Sequence, residues 1–280
     1  MEKCFDCPRN CGVDREKTIG FCKETNKIRV AKIIENFMWE EPCISGDKGA
    51  LAVFFSGCNL KCSFCQNKEI SHIGKGEFYT PAQFQDLILS YDLTKFSSID
   101  LVTPTHFSSL LIEALSGLNL PIPVVWNSSG YEKVEMIEKV ASIADVFLPD
   151  FKYCDSSLAL SLSKAGDYFE IASRAVCKMR QLKPNNIFKE GVLVEGVLIR
   201  HLSLPGQVND SKKILAFIKE NIKNPYISLM SQFIPLGGQI DRRLYPLEYK
   251  ALLSYASKLG LNDGYIQDFE SADESFIPDF

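Results

Sequence analysis

From residue 51 onward, short apolar runs alternate with longer stretches in which apolar positions recur at helical spacing. Six runs read as buried strands: residues 51–55, 99–102, 122–126, 146–148, 192–199 and 226–230. Amphipathic patterns follow them over 81–95, 107–118, 131–144, 156–180 (one helix or two), 211–222 and 245–258. Thr80 and Asp210 are placed to cap helices, and Pro81 suits a first helical turn. Strands that alternate with helices in units of about thirty residues predict parallel pairing through right-handed crossovers. The fold class is therefore α/β. Six units rather than eight predict an incomplete, TIM-like barrel open along one side. No internal repeat or low-complexity tract interrupts it.

Residues 1–49 have a different character and are expected to form a cysteine-rich extension, with the barrel over 50–280. Cys4, Cys7 and Cys11 are spaced CxxCxxxC, and Cys22 follows after ten residues. Pro8, Gly12 and Gly20 supply tight backbone around them. Four thiols in a short loop-like stretch predict a closed site for zinc or for a second iron–sulfur cluster. The plainer reading is four free thiols on an arm. Residues 28–34 have strand composition and lead to Glu40-Glu41-Pro42-Cys43-Ile44-Ser45-Gly46. A lone cysteine such as Cys43 is usually a small buried hydrophobe.

Composition narrows the class. A 280-residue chain holds one large α/β domain or two small ones, and 46% hydrophobic with 24% charged residues is ordinary for a soluble globular protein. The net charge of −4 gives no basic excess for nucleic-acid binding. No stretch resembles a signal peptide or is long enough to span a bilayer, so the expectation is a cytoplasmic protein without membrane partners. Ten cysteines then point to metal or redox chemistry rather than a disulfide framework.

The sharpest chemistry follows the first strand, where Cys58, Cys62 and Cys65 are spaced CxxxCxxC on the loop that leaves it. Thiolates suit iron–sulfur clusters and zinc. Three of them leave one corner of a [4Fe-4S] cube open to a small molecule. A structural zinc knuckle or reduced core cysteines are the plainer alternatives. In parallel α/β folds reactive groups collect at the C-terminal strand ends. The later exits carry Thr103-Pro104-Thr105-His106, Asn127-Ser128-Ser129-Gly130-Tyr131, Asp150-Phe151-Lys152-Tyr153, Arg200-His201 with Pro205-Gly206, and Gln232-Phe233-Ile234-Pro235. Arg200 and His201 alternate along a strand, so one points inward, and Arg200 is expected to be that one. His72 is expected to be structural or solvent-facing.

The segment CNLKCSFCQN, with aromatic Phe64 just before Cys65, resembles the cluster motif of the radical S-adenosylmethionine (SAM) enzymes. The chain is most similar to the branch named for pyruvate formate-lyase activating enzymes. CPRNCGVDR, EEPCISG, FFSGCNLKCSFCQN, LVTPTH, WNSSGY, LPDFKY, RHLSLPG and SLMSQFIP all resemble stretches of it. The resemblance implies a partial (β/α)6 barrel, a [4Fe-4S] cluster on Cys58, Cys62 and Cys65, and bound SAM. It implies reductive cleavage of SAM to methionine and a 5′-deoxyadenosyl radical that abstracts hydrogen. It also implies a low-potential electron donor such as flavodoxin or ferredoxin.

Asp150-Phe151-Lys152 resembles the Asp-x-Lys of glycyl-radical activating enzymes, and Arg200 resembles the arginine that opens their Arg-x-x-x-x-Pro-Gly stretch. Lys152 and Arg200 are expected to pair with the SAM carboxylate, and Asp150 or Asn127 to accept from its ribose or ammonium. The stretch from Phe64 to Asn67 is expected to face the adenine, and Ser129 to lie beside Asn127 at the same rim. Where those activators carry Gly-Gly-Glu-Pro for the ammonium, this chain has Pro104-Thr105-His106, and Thr103, Thr105 and His106 are the expected stand-ins. Where they commonly place a histidine near the last strand, this chain has Phe233-Ile234.

The branch name suggests a backbone glycine of a glycyl radical enzyme as the hydrogen donor, which makes a protein substrate the leading expectation. Modification of another peptide or of a small molecule is the alternative. A reading of another class is a non-catalytic metal-binding or assembly module, in which Asp150, Lys152 and Arg200 would be ordinary loop charges.

Overall fold

The computed structural model describes residues 3–236 and 238–269. In chain order its strands and helices are β1 (Ile28–Phe37), α1 (Pro42–Ser45), β2 (Ala50–Phe55), β3 (Glu77–Tyr79), α2 (Pro81–Leu89), β4 (Ser98–Val102) and α3 (Ser108–Leu115). Next come β5 (Val124–Ser128), α4 (Val134–Val140), β6 (Val146–Pro149), α5 (Ser156–Ser163), α6 (Tyr168–Leu182), β7 (Ile187–Lys189), β8 (Val192–Val197) and β9 (Ile199–Leu202). The chain closes with α7 (Val208–Asn221), β10 (Ile227–Met230), α8 (Pro246–Lys258) and β11 (Gly264–Ile266).

Strands β2, β4, β5, β6 and β8 pair in parallel in that order. A parallel bridge from Asp150 to Arg200 carries the wall onto β9, which pairs in parallel with β10, and β10 with β11. The six predicted strands thus form the wall of a partial barrel, the fifth being split into β8 and β9. Both faces of this wall are covered, which is why its strands read as apolar runs. Val125, Val146, Leu148 and Leu198 pack inward, while Val124, Trp126, Phe147, Val197 and Ile199 join the larger core beneath the helices.

The sheet begins earlier than residue 50. β1 pairs antiparallel with β2, from Val30 opposite Phe55 to Phe37 opposite Ala50, and β3 adds outside it. The chain leaving β1 then turns under the barrel. Cys43 and Ile44 of α1 are fully buried against Val125, Val146, Leu148, Leu193 and Leu198. Ser98 Oγ donates to Ile44 O at 2.8 Å, which ties α1 to the first residue of β4. The N-terminal end of the barrel is stoppered by this short helix.

Helix starts follow local chemistry. Thr80 and Gln83 form a reciprocal capping box with Pro81 inside it. Asp210, in contrast, is not a cap, because α7 starts two residues earlier. Its carboxylate instead accepts from Cys154 N at 3.0 Å and Asp155 N at 2.7 Å, bracing the loop after β6. Among the described residues no helix is long and apolar enough to cross a membrane.

Candidate active site

The loop after β2 carries Cys58, Cys62 and Cys65, all free and partly buried. Its backbone is held by Lys61 N to Ser163 O (3.2 Å) and Ser63 N to Leu162 O (2.8 Å), so α5 fixes it from behind. Asn59 Nδ2 donates to Tyr131 O at 2.7 Å. Each sulfur has a polar neighbour: Leu60 N lies 3.3 Å from Cys58 Sγ, Ser163 Oγ 3.0 Å from Cys62 Sγ and Ser71 Oγ 3.3 Å from Cys65 Sγ. These are contacts a thiolate accepts. Burial pushes the Cys58 thiol up to about 12, with neighbouring Cys62 adding to it. Burial also raises Cys62, although Lys152 opposes the shift.

The three cysteines line one cavity of about 430 Å³ that descends into the barrel. Among the described residues no three His, Cys, Asp or Glu side chains are close enough to hold a single metal ion. A lone zinc wants every sulfur within about 2.3 Å of one point. A four-iron cube, which takes one thiolate per corner, tolerates the wider spread, so three cysteines on one loop above one cavity fit it. Phe64, Gln66, Asn67, Thr103, Asn127, Ser129, Asp150, Lys152 and Arg200 line the same cavity. Phe64 lies on Phe233 with ring centroids 5.6 Å apart.

A chain of ion pairs descends from the cysteines. Lys152 Nζ lies 2.6 Å from Asp150 Oδ2, and Arg200 Nε 3.0 Å from Asp150 Oδ1. Arg200 Nη1 reaches Glu40 Oε2 at 2.7 Å, and its Nη2 donates to Asn127 Oδ1 at 2.5 Å. Burial alone would raise Asp150, but Lys152 and Arg200 outweigh it and hold its carboxyl below the usual range. Burial likewise opposes the charge on Arg200, and the surrounding carboxylates more than restore it. Gly130, at φ 73°, allows the close approach that keeps this wall thin, since a Cβ there would sit 2.4 Å from Asp150 O. His201 is buried with Nδ1 2.7 Å from Phe151 O, whereas Arg200 faces the cavity.

Two expected residues stand elsewhere. His106 is fully buried with its ring on Phe107 at 4.2 Å, and its Nε2 donates to Ser56 O at 2.7 Å. Burial lowers its pKa to about 3, so the ring is neutral and serves as a backbone strut. Thr105 is also buried outside the cavity, beside the buried Glu132 carboxylate. The cause is local. Thr103 adopts φ 63°, and the chain turns there into a short helical turn over Thr105–Phe107 that leads away from the opening. Only Thr103 of the three stays at the cavity.

Three residues were missed. Glu40 and Glu41 rise from the connection beneath the barrel to line the cavity floor, and Asp100 of β4 lies behind Asn127, whose Nδ2 donates to Asp100 Oδ2 and Glu40 Oε1 at 3.2 Å each. A carboxylate inside the apolar run 99–102 was the visible signal for Asp100. EEPCISG resembles the branch, but nothing local gave its glutamates a place at the site, because the Arg200 that Glu40 pairs with is 160 residues away.

The other cysteine set is folded as a hairpin. Cys4 N donates to Val13 O at 2.8 Å and Gly12 N to Cys4 O at 3.0 Å. Phe21 N points to Cys11 Sγ at 3.3 Å and Arg15 Nη2 to Cys22 Sγ at 3.4 Å. Arg15 is buried, and its Nη1 donates to His106 O at 2.7 Å, docking the hairpin on the turn after β4. Arg9 Nε donates to Asn59 O at 2.8 Å, between two cysteines of the other set. His72, at the far end of the cluster loop, stays outside the cavity, and burial lowers its pKa to about 4.

Comparisons with known proteins agree with this geometry. The family described as a 4Fe-4S single cluster domain matches residues 44–167. The uncharacterized protein MJ0674 of Methanocaldococcus jannaschii is 31% identical over 280 residues, an alignment covering 94% of this chain and 76% of that protein. Among solved structures, Streptococcus suis SuiB bound to precursor peptide SuiA superposes with a TM-score of 0.52 at 15% identity, over 75% of this chain and 46% of SuiB. A point mutant of spore photoproduct lyase gives 0.51 at 11% identity, over 76% of this chain and 74% of that one. This chain thus spans under half of SuiB, and at these identities both structures speak to the fold alone.

Proposed function

The chain belongs to one family with MJ0674 of Methanocaldococcus jannaschii and matches a 4Fe-4S single cluster domain over residues 44–167, and from that premise we propose that it is a radical SAM enzyme, which cleaves SAM reductively and uses the product to take hydrogen from a substrate. The observation that carries the reading is one cavity with three free cysteines at its mouth and Asp150, Lys152 and Arg200 down its wall. When bound, a [4Fe-4S] cluster with one open corner supplies the electron that cleaves the sulfonium of SAM to a 5′-deoxyadenosyl radical.

The protein's own residues do the holding. Cys58, Cys62 and Cys65 are the ligands, and Ser163, Ser71 and Leu60 N bond their sulfurs. Lys152, whose charge acts on Cys62, offers a point charge to the SAM carboxylate, and Asp150, fixed between two cations, presents acceptor oxygens to ribose. Phe64 and Asn67 bound the adenine side, with Thr103, Asn127 and Ser129 opposite. Phe233 packs on Phe64 and keeps that side apolar. The four cysteines of the hairpin, expected to hold zinc or a cluster, are proposed as a second, closed thiolate site for a cluster, because no three of them converge on one metal ion; Arg9 stiffens the back of the cluster loop and Arg15 docks the hairpin on the turn after β4.

The motif resemblance supports a glycyl-radical activase, with a backbone glycine of a partner enzyme as hydrogen donor and flavodoxin or ferredoxin as electron source. The second reading, modification of another peptide or a small molecule, draws on a cavity of about 430 Å³ lined from the cysteines to Glu40 and Glu41. A radical signal on a candidate partner, seen by electron paramagnetic resonance after mixing, separates the two. The shared step is tested directly: anaerobically reconstituted protein, SAM and dithionite should release 5′-deoxyadenosine, and no release defeats the proposal.

A further inference from the structure

The three cysteines of the cluster loop are not equally supported. Cys58 Sγ is met by Leu60 N at 3.3 Å and Cys65 Sγ by Ser71 Oγ at 3.3 Å, single contacts from the loop and the turn after it. Cys62 Sγ is met by Ser163 Oγ at 3.0 Å, and Ser163 comes from the last residue of α5. Behind it stands a second hydroxyl, because Tyr153 Oη lies 2.7 Å from Ser163 Oγ. Tyr153 and Ser163 are both wholly buried, out of reach of bulk water. Ser163 O also accepts from Lys61 N at 3.2 Å, which fixes the serine against the cysteine loop.

The direction of this chain follows from counting protons. A serine hydroxyl has one proton to give, and a ligating thiolate has none. Ser163 therefore spends its proton on Cys62 Sγ. The 2.7 Å contact between the two oxygens still needs a proton, and Tyr153 has the one left to give. Burial holds the Tyr153 phenol well above its usual range, so that proton stays in place. Tyr153 O–H donates to Ser163 Oγ, Ser163 O–H donates to Cys62 Sγ, and each bond polarises the next. Hydrogen bonds to the sulfurs of an iron–sulfur cluster set its potential, and they favour the reduced form, which carries one more negative charge.

We propose that Tyr153 and Ser163 form a two-hydroxyl relay that raises the reduction potential of the cluster through its Cys62 ligand. The proposal rests on the cluster reading of Cys58, Cys62 and Cys65. Tyr153 is a positioning residue here, since it stays in the core and acts through Ser163 rather than touching the cavity. Its chain neighbour Lys152 takes the other side. Lys152 lines the cavity and its charge acts on Cys62 directly, so two successive residues of the segment after β6 reach the same sulfur from front and back.

The test measures the midpoint potential of the cluster in the anaerobically reconstituted full chain, by redox titration followed in the visible spectrum. Ser163→Ala should lower the ratio of reduced to oxidised cluster at a fixed solution potential about tenfold, a shift of ~59 mV for one electron. Tyr153→Phe keeps the ring and its packing, and should lower the ratio about twofold. In the Ser163→Ala background Tyr153→Phe should add nothing, because the phenol acts through the serine. Tyr131→Phe removes another buried phenol, one that donates to Asp167 Oδ1 at 2.8 Å, and should leave the ratio unchanged. An unmoved potential in Tyr153→Phe, a further shift in the double variant, or an equal shift from Tyr131→Phe overturns the relay. Tyr153→Phe against Tyr131→Phe decides the matter even where Ser163→Ala fails to fold. Wild-type protein that takes up no four-iron cluster overturns the cluster reading and the relay together, whereas an intact cluster whose potential ignores these substitutions overturns the relay alone.

Discussion

The chain holds two sets of cysteines built in opposite ways. Cys58, Cys62 and Cys65 sit at the open mouth of a cavity, held by one loop, with a polar wall across from them. Cys4, Cys7, Cys11 and Cys22 are folded onto a hairpin against the outside of the barrel, and burial pushes the Cys7 thiol up to about 12. The first set has three thiols and access to the cavity; the second has four thiols, with buried Arg15 against Cys22. On the reading proposed above, the missing fourth ligand beside a cavity goes with chemistry and the complete set with structure. The two touch where Arg9 donates to Asn59 O and at a seam where Gly57 at φ 77° lies against Cys22 and Glu24.

Several changes would break or sharpen that contrast. Cys58→Ala, Cys62→Ala or Cys65→Ala should each remove the cluster absorbance and lower 5′-deoxyadenosine release at least about a thousandfold. Retained release from any of them would dissolve the distinction. Arg200→Met should come next, destabilising the fold by about 3–5 kcal/mol in denaturant melts, because it strands Glu40 without its cation and leaves Asp150 with Lys152 alone. Cys4→Ser with Cys22→Ser should lower total bound metal and cost about 2 kcal/mol, yet leave the iron held by the first set in place. If iron is lost from both sets together, the hairpin is not an independent site.

The pH response separates the floor from the rim. Burial raises Asp100 to about 7, against an unfolded value near that of a free aspartate. Between those values the folded chain keeps a proton that the unfolded chain releases, so this group's contribution to stability is full at low pH and declines as pH rises towards 7. Asp100→Asn should flatten that decline by about 1–2 kcal/mol in urea titrations at pH 5 and pH 8. Asp150, held below its usual range, acts in reverse, and its contribution is lost only in acid. The smallest effect belongs to the seam. Gly57→Ala puts a Cβ 2.6 Å from Glu24 Cγ and 2.8 Å from Cys22 O in a left-handed conformation, and should cost roughly 1–2 kcal/mol in melts while shifting the cluster's spectrum.

The barrel strands were legible because strands buried on both faces leave uninterrupted apolar runs. Where a strand turns a polar residue to the cavity the run stops early, so 122–126 reads short of the observed Val124–Ser128, whose Asn127 and Ser128 continue it. The stretch 156–180 divides at Lys164, left-handed at φ 58°, into α5 and α6. The cysteine spacing and the Asp-x-Lys were readable because each is local. The floor was not, since Glu40 joins Arg200 and Asn127 only after β1 runs antiparallel beside β2 and returns beneath it. His106 misled for a related reason: the type of residue was visible, but the left-handed Thr103 that turns it away is a backbone property, and threonine does not advertise it.

The stopper formed by Cys43 and Ile44 makes the lumen a cul-de-sac. Nothing crosses the vessel from end to end, so a ligand of the cavity would come and go at the cysteine end or through the open flank. Depth, rather than flow, becomes the quantity that evolution can adjust, and the length of the side chains at 40 and 41, which line the cavity just before the stopper, is the simplest way to move it.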